Sequence, residues 1–184
     1  MSTSTHHLAQ LNIGRVVAPL DSDQLSGFVA ALEPINALAD AAPGFVWRLV
    51  GDDGDGGTAN NATSARFFGE TDLLVNMSVW RDLVSLREFV FRSPHVEVMR
   101  NRRSWFFPMP EIYTALWWVP IGITPTIADA EQRLLHLREH GPTEFAFTFR
   151  EPFPAPDEVT MPPASAHEAQ PGSRAVSEPT HQAP

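Results

Sequence analysis

One stretch restricts the fold more than any other. Residues 72–120 read as strand, helix, second helix and strand, and they are dense in aromatic and arginine side chains. Residues 73–80 form an apolar run of strand length. Ser85, three residues before Glu88, has the spacing of a capping box and predicts a helix start there. That helix turns Leu86, Phe89 and Val90 inward. Ser93-Pro94 predicts a restart, with serine as the cap and proline in the first turn. The second helix runs to about Phe106, where Pro-Met-Pro stops it. Residues 113–119 read as a strand. Such a unit favours an apolar cavity with a few polar groups in it.

The flanking sequence completes a pattern. Residues 8–17 alternate imperfectly and end before Pro19, predicting a first strand. Leu25, Phe28, Val29, Leu32, Ile35 and Leu38 recur at steps of three and four, predicting an amphipathic helix that Pro34 kinks or splits. Residues 45–50 follow as a strand. Residues 51–65 read as a polar loop, whose three aspartates lack the trailing glutamate of an EF-hand. Residues 126–139 carry Ile127, Ala130, Leu134 and Leu137 on one stripe before Gly141-Pro142 ends the helix. Residues 144–150, with Phe145, Phe147 and Phe149 alternating, give the clearest strand signal in the chain.

The order is therefore β-α-β-β-α-β followed by α-β. The first six elements are a split βαβ, ferredoxin-like α+β arrangement. An open antiparallel sheet of this kind covers one face with its helices. Its other face needs a cover, and a second copy supplies one, which predicts a homodimer, a dimeric α+β barrel. The folded domain is expected over residues 1–154. Residues 155–184 are rich in Pro, Ala, Ser and Glu, have no aromatic residue, and are expected to form a disordered tail.

Composition removes several chemistries. There is no cysteine, so thiolate nucleophiles and Cys-based metal sites are excluded. All 13 basic residues are arginine, so a Schiff-base lysine and a Walker A loop are excluded as well. A net charge of −9 argues against nucleic-acid partners and anionic membrane surfaces. No apolar run approaches the ~18 residues of a membrane span. No secretory signal pattern stands at the N-terminus, so a cytoplasmic location is expected.

The sharpest candidate is His95, in the first turn of a helix. The positive end of the helix dipole disfavours imidazolium there, and a neutral imidazole accepts protons. The alternative is a capping or buried structural histidine. Arg102 lies two turns on, with Met99 between them, and can hold an anionic oxygen or form an ordinary ion pair. Trp80, Trp105 and Trp117 can wall a flat aromatic ligand or pack in the core. Trp117 and Trp118 are adjacent on a strand, so they point to opposite faces. Asn12 and Asn76 are amides in apolar strands and need partners if buried. Tyr113, the only tyrosine, can act as a donor at a strand end. His136 and His140 have a zinc-compatible spacing but no evident third ligand. No metal site is expected.

The combination of Ser93-Pro94-His95, Arg102-Arg103-x-Trp105-Phe106, Trp117-Trp118-x-Pro120 and His136 with Gly141-Pro142 resembles the family called domain of unknown function 3291. The likeness covers roughly residues 8–154. It implies the dimeric α+β barrel superfamily, which includes cofactor-free quinol and anthrone monooxygenases, haem-degrading monooxygenases, muconolactone isomerases and chlorite dismutases. By that analogy the chain is a monooxygenase-like enzyme for an aromatic or polyketide-like substrate, without a cofactor. His95 would be the base, Arg102 the anion stabiliser and the tryptophans the walls. Haem binding is the alternative, as is a non-catalytic binding or assembly module. The haem-degrading relatives use an Asn, a Trp and a His. Asn12 matches the first, whereas the other two positions fall near Val90 and Arg100.

Overall fold

A computed structural model describes residues 4–50, 67–70 and 72–157, apart from the side chains of residues 97–99. Its strands are β1 (His6–Arg15), β2 (Phe45–Arg48), β3 (Leu73–Trp80) and β4 (Thr114–Pro120). Its helices are α1 (Ser26–Asp40), α2 (Leu83–Arg92), α3 (His95–Trp105) and α4 (Ile127–His140). The sheet order is β2-β3-β1-β4 and every neighbouring pair is antiparallel. β3 thus splits β1 from β2, and β1 splits β3 from β4. This is the ferredoxin-like α+β topology the sequence predicts.

Alternation along the strands sends side chains to two different environments. Ala9, Leu11, Ile13, Val75, Met77, Val79, Ala115, Trp117 and Val119 face one way and pack against Ala130, Leu134 and Leu137 of α4. Leu8, Trp80 and Leu116 face the other way, toward Ala39 of α1 and Leu86 of α2. Leu74 joins Leu25 and Phe28 at the far end of that second face, with Trp105 and Phe106 against them. The sheet face expected to need a second copy is therefore covered by α4 of the same chain. α4 is well specified for this. Thr126 accepts from the Asp129 N–H at its start, and Gly141 ends it at a φ of 74°, which favours glycine.

Local structure departs from expectation in four places. The cap of α2 is Asp82, whose carboxylate accepts from the Ser85 N–H at 2.7 Å, so Ser85 lies inside the first turn. Hydrogen bonding holds the Asp82 acid below its ordinary value, against a desolvation that pushes it up. α1 is unbroken at Pro34, and the Ala30 carbonyl that loses its helical partner belongs to an exposed residue. Residues 144–150 form no strand. Only Phe147 pairs with β4, exchanging both backbone bonds with Leu116 at 2.8 and 2.9 Å. The neighbouring carbonyls are taken elsewhere: Phe145 by Arg133, Ala146 by the Thr143 N–H, and Phe149 by Arg87. Finally, the packed domain extends past residue 154. Ala155 is fully buried, and Asp157 accepts from the Thr5 N–H at 2.7 Å.

The predicted loop at residues 51–65 and the rest of the predicted tail lie outside the described residues. No helix among the described residues is long and apolar enough to cross a membrane.

Candidate functional site

The sheet face beneath α1, α2 and α3 is not uniformly apolar. Gln10 and Asn12 on β1, Asn76 and Ser78 on β3, and Thr114 on β4 share it, and strand register sets them side by side. Asn12 is flanked by Asn76 and Thr114, and Gln10 sits opposite Ser78. These five residues form the polar floor of a hollow of about 230 Å³. A buried polar group persists only with partners or a purpose. Ser78 has both bonds of its hydroxyl engaged: it accepts from Trp80 Nε1 at 2.9 Å and donates to Gln10 Oε1 at 3.0 Å. Asn12 Oδ1 is buried with no hydrogen-bond partner.

His95 and Arg102 of α3 reach this hollow from above. The Ser93 hydroxyl accepts from the His95 N–H at 3.2 Å and donates to the Phe89 carbonyl at 2.6 Å, but Ser93 is the C-cap of α2, and Pro94, expected in the first turn, stands at the N-cap of α3 instead. His95 Nδ1 lies 3.4 Å from the Val90 carbonyl oxygen. A carbonyl only accepts, so Nδ1 carries the proton and Nε2 keeps its lone pair. Burial pushes the His95 pKa down, and the Val90 contact opposes this. The imidazole is therefore a neutral base at neutral pH. Its ring packs 5.1 Å from Phe89.

Arg102 donates to the Tyr113 hydroxyl at 3.0 Å, and its guanidinium carbon lies 4.6 Å from that ring's centroid. Tyr113 thus accepts from a cation and retains its own proton to donate. A second hollow of about 120 Å³ shares Asn12, Ile35, Asn36, Asn76, His95 and Arg102 with the first. Those six side chains stand at the junction. Neither hollow has an aspartate or glutamate among its lining residues.

The predicted tryptophans separate. Trp80 walls the larger hollow, stacked on Phe89 at 5.0 Å and edge-on to Phe45 at 5.4 Å. Trp105 lines the smaller one, beside Phe28. Trp117 lines neither: it is fully buried beneath α4, on the opposite sheet face. The pleat decides this, because Trp117 registers with Ala9 and therefore shares that residue's side of the sheet. Trp118 takes the other face and donates to the Phe153 carbonyl at 2.9 Å. Met99 lies on α3, with its side chain outside the described part. His136 hydrogen bonds Thr143 at 2.8 Å and packs on Phe145, so it serves structure. No cluster of three or more metal-ligating side chains occurs among the described residues.

Sequence reasoning missed Gln10, Ser78, Arg48, Phe89 and Phe149 as lining residues. A signal for two of them was present. Gln10 precedes Asn12 by two, and Ser78 follows Asn76 by two, which marks one polar stripe on each central strand. Nothing local marks Arg48 or Phe149, which tertiary packing brings in.

The chain belongs to the family described as domain of unknown function DUF3291, whose model matches residues 7–163. No curated protein matches. Solved structures similar to it include the PA3566 protein of Pseudomonas aeruginosa, at 13% identity and a TM-score of 0.42, covering 65% of this chain and 97% of that one. The NE2512 protein of unknown function from Nitrosomonas europaea is similar at 12% identity and a TM-score of 0.41, covering 67% and 96%. SnoaB, a cofactor-independent oxygenase from Streptomyces nogalater, is similar at 14% identity and a TM-score of 0.41, covering 64% and 95%.

Proposed function

We propose that this member of the DUF3291 family is a small-molecule enzyme, a cofactor-independent monooxygenase acting on a hydroxylated aromatic or polyketide-like compound. The observation that carries the reading is the neutral His95 base, with its Nδ1–H directed at the Val90 carbonyl, lining the same hollow as the Arg102–Tyr113 pair. A general base needs a free lone pair and a group to stabilise the anion it creates. Here Nε2 supplies the first, and the guanidinium with the tyrosine hydroxyl supplies the second.

In the proposed reaction His95 removes a substrate proton. The substrate anion then passes one electron to O₂, and the resulting radical and superoxide combine into a C–O bond. The proton held on His95 returns as the peroxide loses water. In sum, a CH₂ group and O₂ become C=O and H₂O, with the substrate as sole reductant. Trp80, Phe45 and Phe89 provide flat walls for such a ring system.

The haem alternative fits the hollow poorly. At about 230 Å³ it has no room for a macrocycle the size of haem. The groups given roles here, His95, Arg102 and Tyr113, belong to one chain, and the homodimer the resemblance implies is a separate proposal. Sedimentation of the full chain decides that separately: a species of twice the chain mass supports the dimer, and one at the chain mass contradicts it.

An oxygen electrode tests the activity. Purified protein mixed with a panel of quinols and anthrones is expected to consume O₂. His95→Ala is expected to slow consumption by about 10²–10⁴-fold. Unchanged consumption in that variant contradicts the role given to His95.

A further inference from the structure

We infer that the ligand of this hollow is an acid: a hydroxylated aromatic carboxylate whose carboxylate is read by Arg48 and whose hydroxyl is read by Asn12. The inference rests on the reading of the hollow as a small-molecule site and names the substrate class.

Arg48 ends β2 and lines the hollow. Its Nε donates to Asp40 Oδ1 at 2.8 Å and its Nη2 reaches Asp40 Oδ2 at 3.4 Å. That fork fixes the plane of the guanidinium and turns Nη1 away from Asp40. Nη1 is buried and has no partner. A desolvated donor on a charged group is costly when unmatched, more so than a neutral one. Among the described residues, three buried side-chain polar atoms lack partners: Arg48 Nη1, Asn12 Oδ1 and Trp117 Nε1. The first two belong to residues that line this hollow. One is a donor and the other an acceptor, so they call for a ligand with an acceptor at one end and a donor at the other.

Charge selects the acceptor. Two guanidinium groups, Arg48 and Arg102, line the hollow and no carboxylate does, although the chain as a whole carries −9. An anion is the matching group. Spacing selects the length. Arg48 registers with Ser78 on β3, and Asn12 with Asn76 two residues away, so the two residues stand two strands apart. That offset is ~10 Å across the sheet and ~7 Å along it, ~12 Å between the two backbones, which a ring with a short arm bridges between the two side chains. Trp80, Phe45 and Phe89 line the space for the ring.

The test is binding, measured by calorimetry on the full chain with three probes. They are para-coumarate, its methyl ester, which lacks the charge, and cinnamate, which lacks the hydroxyl. The acid is expected to bind at least about tenfold tighter than the ester, and Arg48→Gln is expected to abolish that preference. Para-coumarate is expected to exceed cinnamate by a few-fold, a margin lost in Asn12→Leu. Equal affinity for acid and ester in the unaltered protein overturns the inference, whether or not the variants fold. A preference retained in a folded Arg48→Gln protein, or failure of all three probes to bind, also overturns it. The proposed oxygenation stands or falls apart from this. Acid-selective binding without O₂ consumption on any substrate leaves the anchor and removes the reaction. Consumption on neutral quinols without acid selectivity does the reverse.

Discussion

The two faces of this sheet are made by the same strands, yet they differ in kind. The face under α4 is apolar from Ala9 to Val119 save for the unpartnered indole N–H of Trp117, and α4 closes it with Ala130, Leu134 and Leu137. The face under α1–α3 interrupts its apolar residues with Gln10, Asn12, Asn76, Ser78 and Thr114, and a hollow stands over them. Burial on the first face stabilises the fold. Polar groups on the second face do not help folding unless they are matched, and Asn12 Oδ1 and Arg48 Nη1 are not. Alternate residues of one strand can thus serve opposite ends, and a strand read as simply apolar hides the difference.

The contrast can be broken most forcefully from the closed side. Leu134 is fully buried between α4 and the sheet, so Leu134→Ala is expected to destabilise by about 2–5 kcal/mol through lost burial and a cavity. Denaturant unfolding measures it, and a loss under about 1 kcal/mol contradicts tight packing there.

On the open side, Ser78→Ala strands the Trp80 indole N–H and frees Gln10 Oε1. A cost of about 1–3 kcal/mol is expected, together with weaker binding in the hollow. If stability and binding are both unaffected, the floor network has no structural part.

A smaller effect separates helix specification from packing. Thr126→Ala removes the cap of α4 and is expected to cost about 1 kcal/mol, lowering the melting temperature without touching the hollow.

The gentlest probe is pH. Burial lowers the His95 pKa from its ordinary 6.5, so the unfolded chain binds this proton more readily than the folded one. Any stability linked to the neutral ring is fully present above pH 6.5 and declines as pH falls through the lowered value. His95→Asn is expected to flatten that decline in a comparison of unfolding curves at successive pH values. An unchanged slope in the variant assigns the proton uptake elsewhere.

Much of the fold was legible because periodicity reports it directly. The stripe Ala130, Leu134, Leu137 and the run from Leu73 to Trp80 declare a helix and a strand whatever surrounds them. Periodicity does not say where a final helix docks, and the face reserved for a second copy proved to be the seat of α4. It also does not say who takes a carbonyl. Phe145, Phe147 and Phe149 alternate as a strand would, but Arg133, Arg87 and the Thr143 N–H hold the backbone oxygens that a ladder would need. At the site, residue type pointed to His95, Arg102, Asn12, Trp80 and Tyr113, all of which line the larger hollow. The pleat made clear that Trp117 and Trp118 oppose each other, yet only register with Ala9 and Leu8 fixed which went where. Arg48 was illegible because its meaning depends on Asp40 eight residues earlier and on strands far along the chain.

The two-faced account meets its most direct test in the indole N–H signals of a proton–nitrogen correlation spectrum, followed as para-coumarate is added to the full chain. The Trp80 indole, on the hollow's wall, is expected to shift on binding, and the Trp117 indole, beneath α4, to stay in place. A ligand that moves Trp117 and leaves Trp80 still would contradict the account, as would one that moves neither.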